Sequence, residues 1–92
     1  MEEEPSGLQA YPNPFFAATT LEYRPVKSEQ VSLQVLNLQG ALIETVFNGD
    51  VESGKIYQFD FDGSELASGF YFARLSSKGK TLFLKLAVAK RP

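Results

Sequence analysis

The sequence predicts an all-β sandwich of about seven short strands. Apolar and polar residues alternate with a period of two in several stretches, most clearly over residues 80–90. Turn-forming residues punctuate those stretches: Pro12-Asn13-Pro14, Pro25, Gly40, Asn48-Gly49, Ser53-Gly54, Gly63 and Lys78-Gly79. No segment carries the apolar period of an amphipathic helix. With 92 residues, 43% of them hydrophobic and 22% charged, the chain supports one small domain with one core. Eight Phe and four Tyr can fill that core, and zero Cys excludes a disulfide framework and a zinc–thiolate site.

Residues 1–7 hold Glu, Pro, Ser and Gly with nothing to pack, and read as a linker or expression remnant. Leu8-Gln9-Ala10-Tyr11 is the first strand. Pro12-Asn13-Pro14 then removes two backbone donors and forces extended geometry, so this segment bends, and Phe15 or Phe16 plugs one end of the core. Residues 19–23 form the second strand, with Leu21 and Tyr23 on one side, and Pro25 ends it. The third strand, residues 30–38, turns Val31, Leu33 and Val35 inward and Ser32 and Gln34 outward. Its end, Leu36-Asn37-Leu38, breaks the alternation, as a bulge or a stretch covered on both faces does.

Gln39-Gly40 is a tight turn in which glycine supplies positive φ, and residues 41–47 are the fourth strand. Asn48-Gly49-Asp50 and Ser53-Gly54 are expected to be turns. Residues 55–61 are the fifth strand, with Tyr57, Phe59 and Phe61 as an aromatic inner face, and Asp60-Phe61-Asp62-Gly63 is expected to turn. Residues 64–67 suit a single helical turn. Gly69 opens a final hairpin whose second arm puts Leu82, Leu84, Leu86 and Val88 on one face and Thr81, Phe83, Lys85 and Ala87 on the other.

Net charge is −2, which argues against a nucleic-acid partner. The charges are unevenly placed. All eleven acids lie at or before Glu65, while Arg74, Lys78, Lys80, Lys85, Lys90 and Arg91 follow it. Two readings stand: lysines that solvate a strand and discourage edge pairing, or a basic docking surface. No apolar run reaches the roughly 20 residues of a membrane-spanning helix. Met1-Glu2-Glu3-Glu4 is acidic where a secretory signal is basic.

Without His or Cys, neither a Ser-His-Asp nor a Cys-His site can be built. Asp60 and Asp62 share a strand face and suit a cation or acid/base pair, but Asp beside a turn is the plainer reading. Asp50 and Glu52 lack calcium-loop spacing, and the glycines are isolated rather than grouped in a phosphate loop. No catalytic residue, metal ligand or cofactor is therefore assigned. Phe70, Phe72 and Phe83 point away from the core if Tyr71, Ala73 and Leu75 point into it, which makes either an exposed aromatic patch or a shielded one. The absence of Trp weakens a sugar-binding platform.

Five pieces, in order, carry a resemblance over residues 8–90: Tyr11-Pro12-Asn13-Pro14-Phe15, Thr20-Leu21-Glu22-Tyr23, residues 31–40 ending in Gly40, Leu66-Ala67-Ser68-Gly69-Phe70-Tyr71, and Lys85-Leu86-Ala87-Val88-Ala89-Lys90. Together they resemble the type A C-terminal sorting domain of the type IX secretion system, found on cargo proteins of Bacteroidetes. The resemblance implies an immunoglobulin-like antiparallel β-sandwich at the end of a longer exported protein, with Arg91-Pro92 as a tail beyond the usual terminal lysine. It implies a non-catalytic address, read by outer-membrane secretion machinery and removed by a sortase-like surface protease. The cargo would cross the periplasm to the cell surface or the extracellular space. Applied to this sequence, recognition falls on Gly69, Tyr71, Lys85, Leu86, Val88 and Lys90, while Pro12, Asn13, Pro14 and Gly40 are motif residues of structural weight. The alternative is a carbohydrate-binding or structural immunoglobulin-like accessory module of an extracellular enzyme.

Overall fold

Seven strands alternate with turns over residues 7–90, the residues described by the computed structural model. They are β1 (Leu8–Tyr11), β2 (Ala18–Tyr23), β3 (Glu29–Leu36), β4 (Leu42–Val51), β5 (Tyr57–Asp62), β6 (Gly69–Ser77) and β7 (Lys80–Val88). Two antiparallel sheets result, one ordered β1-β2-β5 and the other β4-β3-β6-β7. This is the layered, immunoglobulin-like sandwich that the strand pattern predicts.

The period-two pattern explains the register. Ala10, Leu21 and Phe59 line up across the first sheet, as do Leu8, Tyr23 and Tyr57. Leu33 pairs with Leu75, and Leu75 with Leu82; Val35 pairs with Ala73, and Ala73 with Leu84. These inward rows meet in one core in which Leu21, Leu33, Val35 and Leu86 are wholly buried. Burying one such side chain stabilises the fold by about 1.5–3 kcal/mol, so the alternation alone selects which face turns inward. Phe47 stacks at 4.9 Å on Phe59 and at 6.4 Å on Tyr57, closing the core at the β4–β5 side.

Several boundaries differ from the sequence expectation. Asn48-Gly49-Asp50 is not a turn: it continues β4 and pairs with Gln30, Val31 and Ser32. Tertiary packing overrides the turn signal, because Gly49 leaves room for the Phe47 ring, 3.1 Å from where a Cβ would sit. Asp60-Phe61-Asp62 likewise stays in β5, where Phe61 is buried and Asp60 pairs with Thr20, and the chain turns only at residues 63–66. There the Leu66 N–H donates to the Gly63 carbonyl at 3.0 Å. β3 stops at Leu36 rather than at residue 38, since Asn37 begins the turn, and the irregularities are bulges at the partner strand, between Leu33 and Gln34 and between Val35 and Leu36. β7 ends at Val88.

Asn37 organises that turn. Its Oδ1 accepts from the N–H groups of Gln39 and Ala41, both at 2.9 Å, and Gly40 leaves at φ +85°. Phe15, not Phe16, plugs the core: Phe15 is buried edge-on against Phe61 at 6.2 Å, while Phe16 is 55% exposed. Gly63 permits this, because a Cβ there would stand 2.9 Å from the Phe15 ring. Residues 1–6, 91 and 92 lie outside the described residues, so the linker and tail assigned there, Gly7 apart, are outside this description. Gly7 is tied to the fold, its carbonyl accepting from the Arg24 N–H at 2.7 Å.

Candidate recognition surface

The β6–β7 hairpin has two chemically different faces. Leu84, Leu86 and Val88 are buried in the core, with Ala73 opposite Leu84 and Tyr71 opposite Leu86. On the outside, Phe70, Phe72 and Arg74 of β6 stand beside Ala87, Lys85 and Phe83 of β7. Phe72 and Phe83 meet edge to face at 6.3 Å, and the Lys85 ammonium lies 4.8 Å from the Phe70 ring centre. Phe70 and Phe83 remain 50% and 52% exposed. The three phenylalanines therefore share one outward face, together with two cations. Arg74 donates to Gln34 Oε1 at 2.6 Å, which anchors the β6 end of that face to β3. A cation above an aromatic ring is held by the ring quadrupole while its charge stays available to a partner.

Gly69 and Tyr71 set where the hairpin begins. The Tyr71 hydroxyl donates to the Ala67 carbonyl at 2.8 Å, four residues upstream. This is a tyrosine corner, the bond that fixes the crossover into the sixth strand of an immunoglobulin-like sandwich. Gly69 has φ +147°, in the region that disfavours side chains, and sits between the two ends of that bond. Leu66, half-buried against the core, completes the Leu66-x-x-Gly69-x-Tyr71 spacing.

The proline-rich segment proves to be a strap over β7. Asn13 Nδ2 donates to the Lys85 carbonyl and Asn13 Oδ1 accepts from the Ala87 N–H, both at 2.9 Å. Phe15 continues the pairing: its N–H donates to the Ala87 carbonyl and its carbonyl accepts from the Ala89 N–H, again at 2.9 Å. The side-chain amide of Asn13 thus imitates one residue of a neighbouring strand, which explains why Asn serves between Pro12 and Pro14, neither of which has an N–H to offer. The first and last sequence motifs are one contact in space.

Lys90 is also engaged. Its ammonium donates to the carbonyls of Gly63 and Ser64 at 3.1 and 3.0 Å and lies 5.6 Å from the Phe16 ring centre, and its N–H donates to the Ser68 hydroxyl. Lys85 is the exposed cation on the outer face of the segment. Leu86 and Val88 point into the core, and Gly40 lies in the β3–β4 turn, apart from the hairpin face.

Sequence reading gives no special place to Glu22. It sits mid-row on the outer side of the first sheet, between Gln9 and Gln58, yet is only 4% exposed. Its carboxylate accepts from Tyr11 at 2.6 Å, Arg24 at 2.9 Å, and Gln9 and Gln58 at 3.1 Å. Those bonds, the one from Tyr11 foremost, hold its pKa down to about 2 from an ordinary 4.5. The same bond raises the Tyr11 pKa, since an ionised phenol could no longer donate. The signal was a lone acid flanked across strands by amides, and it is visible only once the register is known.

Asp62 accepts from the Ser64 N–H at 2.9 Å, which lowers its pKa, and Asp60 accepts from Thr20 at 3.4 Å. Among the described residues, no group of three or more acidic side chains is placed to hold a metal ion, and no helix is long and apolar enough to cross a membrane.

The profile of the secretion system C-terminal sorting domain matches residues 9–89. The chain belongs to that family. No curated protein and no solved structure matches it. Sorting domains of this family are C-terminal signals for type IX secretion, so this domain marks a protein for export to the cell surface or the extracellular space. The family is non-catalytic. Of its motifs here, those on the strap, the tyrosine corner and the last strand meet at one hairpin, while the asparagine turn joins β3 to β4 and residues 20–23 lie in β2.

Proposed function

We propose that this sorting domain is a passive ligand, read by outer-membrane secretion machinery at the hairpin of residues 69–90. Residues 8–90 form the recognised unit, with 1–7 as a linker or expression remnant and 91–92 as a tail. The observation that carries the reading is the outer face of that hairpin: exposed Phe70 and Phe83 beside the Lys85 ammonium, with no acid on either strand. Lys85 contributes directly. Gly69, Tyr71, Leu86, Val88 and Lys90 contribute by fixing the hairpin's start, inner face and end. The parent chain passes through the periplasm, a sortase-like protease removes the domain at the surface, and neither the domain nor its release depends on catalysis by these residues.

A reporter fused ahead of the domain in a host with type IX secretion tests this. Lys85→Glu is expected to leave thermal unfolding unchanged and to reduce surface display; equal display by both forms would refute the role of the face. The exposed aromatic pair also suits a carbohydrate-binding module. A glycan array separates the two: strong binding by the isolated domain, lost in Phe83→Ser, would favour the sugar reading.

A further inference from the structure

β7 is the end strand of its sheet, and the strap covers only part of its free edge. The Lys85 carbonyl, both backbone groups of Ala87 and the Ala89 N–H all point away from β6, toward Asn13 and Phe15. Backbone groups alternate in direction along a strand. Thr81 and Phe83 therefore aim both their N–H and C=O groups outward as well, joined by the Lys85 N–H. Among the described residues no strand pairs with this part of the edge.

We infer that residues 81–85 are a strand-addition site that takes an extended, acidic segment of the secretion machinery as a new edge strand. The inference rests on the reading that the hairpin is the recognised surface. Three observations select the occupant. First, the strap shows that this edge accepts a partner and fixes where the site ends, because pairing past Lys85 would require Asn13 to leave. Second, Lys78, Lys80 and Lys85 frame the open half, Arg74 lies on the same hairpin, and all acids of the chain lie at or before Glu65. A second copy of this domain would bring two such basic hairpins together with nothing to offset them, whereas an acidic strand places opposite charges across the new pair. Third, Phe83 is 52% exposed in the middle of the open stretch, with the Phe72 edge against it, and gives apolar cover to alternate residues of an added strand. Lysines on an open edge also exclude indiscriminate pairing, which makes the site selective.

The experiment uses the reporter–domain fusion in a type IX secreting host. Thr81→Pro deletes an outward donor without touching the β6 ladder, because proline is tolerated where the N–H faces away from the sheet. Surface display is expected to fall about tenfold, the effect of losing one or two bonds to an added strand, while the thermal midpoint stays near that of the parent. A photo-crosslinking amino acid at position 81 is expected to join an acidic extended segment of the machinery; the same group at Glu44, on the opposite edge strand β4, is expected to join nothing. Should Thr81→Pro unfold the domain, the crosslink decides. Normal display by a folded Thr81→Pro domain overturns the inference, as does a crosslink at 81 to a second copy, to a segment without acids, or to nothing while export proceeds. If Lys85→Glu blocks display while position 81 is silent, the hairpin is read by its side chains and strand addition is wrong. If the unaltered domain fails to display the reporter, the sorting reading itself falls.

Discussion

The outer faces of the two sheets handle polarity in opposite ways. On the β1-β2-β5 sheet, Gln9, Tyr11, Arg24 and Gln58 close around the Glu22 carboxylate, so the face satisfies itself. On the β6–β7 side, aromatic rings stand half in water, a lysine rests on one of them, and among the described residues no strand pairs with part of the β7 edge. A self-satisfied polar face gains little from a partner, because every bond offered replaces one already made. An aromatic and cationic face with open backbone groups gains from desolvation and from pairing. Under the proposed function, recognition belongs to the open β6–β7 side, while the Glu22 network on the other side serves stability.

The largest effect tests the layer that both faces share. Leu84→Ala removes a buried side chain from the hairpin's inner face and should cost about 2–5 kcal/mol in urea denaturation, enough to threaten a domain of this size. A cost under 1 kcal/mol would mean that the hairpin is not the closing piece of the core. Next is the strap. Asn13→Ala deletes two hydrogen bonds to β7 and should cost about 1–3 kcal/mol, with faster amide exchange at Ala87. Unchanged exchange would place the seal elsewhere.

Glu22→Gln probes the self-satisfied face through pH. The Glu22 pKa is depressed on folding, so its contribution is complete above about 4.5 and is lost as pH falls through about 2. The variant should be less stable than the parent near neutral pH, and the gap should close across that window. A gap independent of pH would show that shape rather than charge matters there. The smallest expected stability change belongs to the open face: Lys85→Glu should shift unfolding by no more than about 0.5 kcal/mol, as exposed substitutions do, while reducing surface display.

Much of this was legible in the sequence. The alternation in residues 80–90 identifies Leu84, Leu86 and Val88 as inward and Lys85 as outward, because a strand's period leaves no other choice. The aromatic inner face of β5 and the Gln39-Gly40 turn follow from equally local rules, whereas the start of that turn at Asn37 does not. Asn48-Gly49 misleads for the converse reason: its local turn preference is worth less than eight residues of β3 offering a pairing partner and a ring to fold over Gly49.

The sequence by itself determined the seven strands to within a few residues, their buried faces and the concentration of positive charge near the end, since alternation and turn residues act over neighbours one to four apart. Five motifs spread along the chain determined the family. Tertiary structure alone decided that Asn13, 72 residues from Lys85, seals half of the last strand, that Tyr71 bolts the corner, that Lys90 is held against Gly63 and Ser64, and that Glu22 anchors the opposite face. These contacts join residues whose proximity comes from sheet register and layer packing, and no local pattern encodes the distance between them.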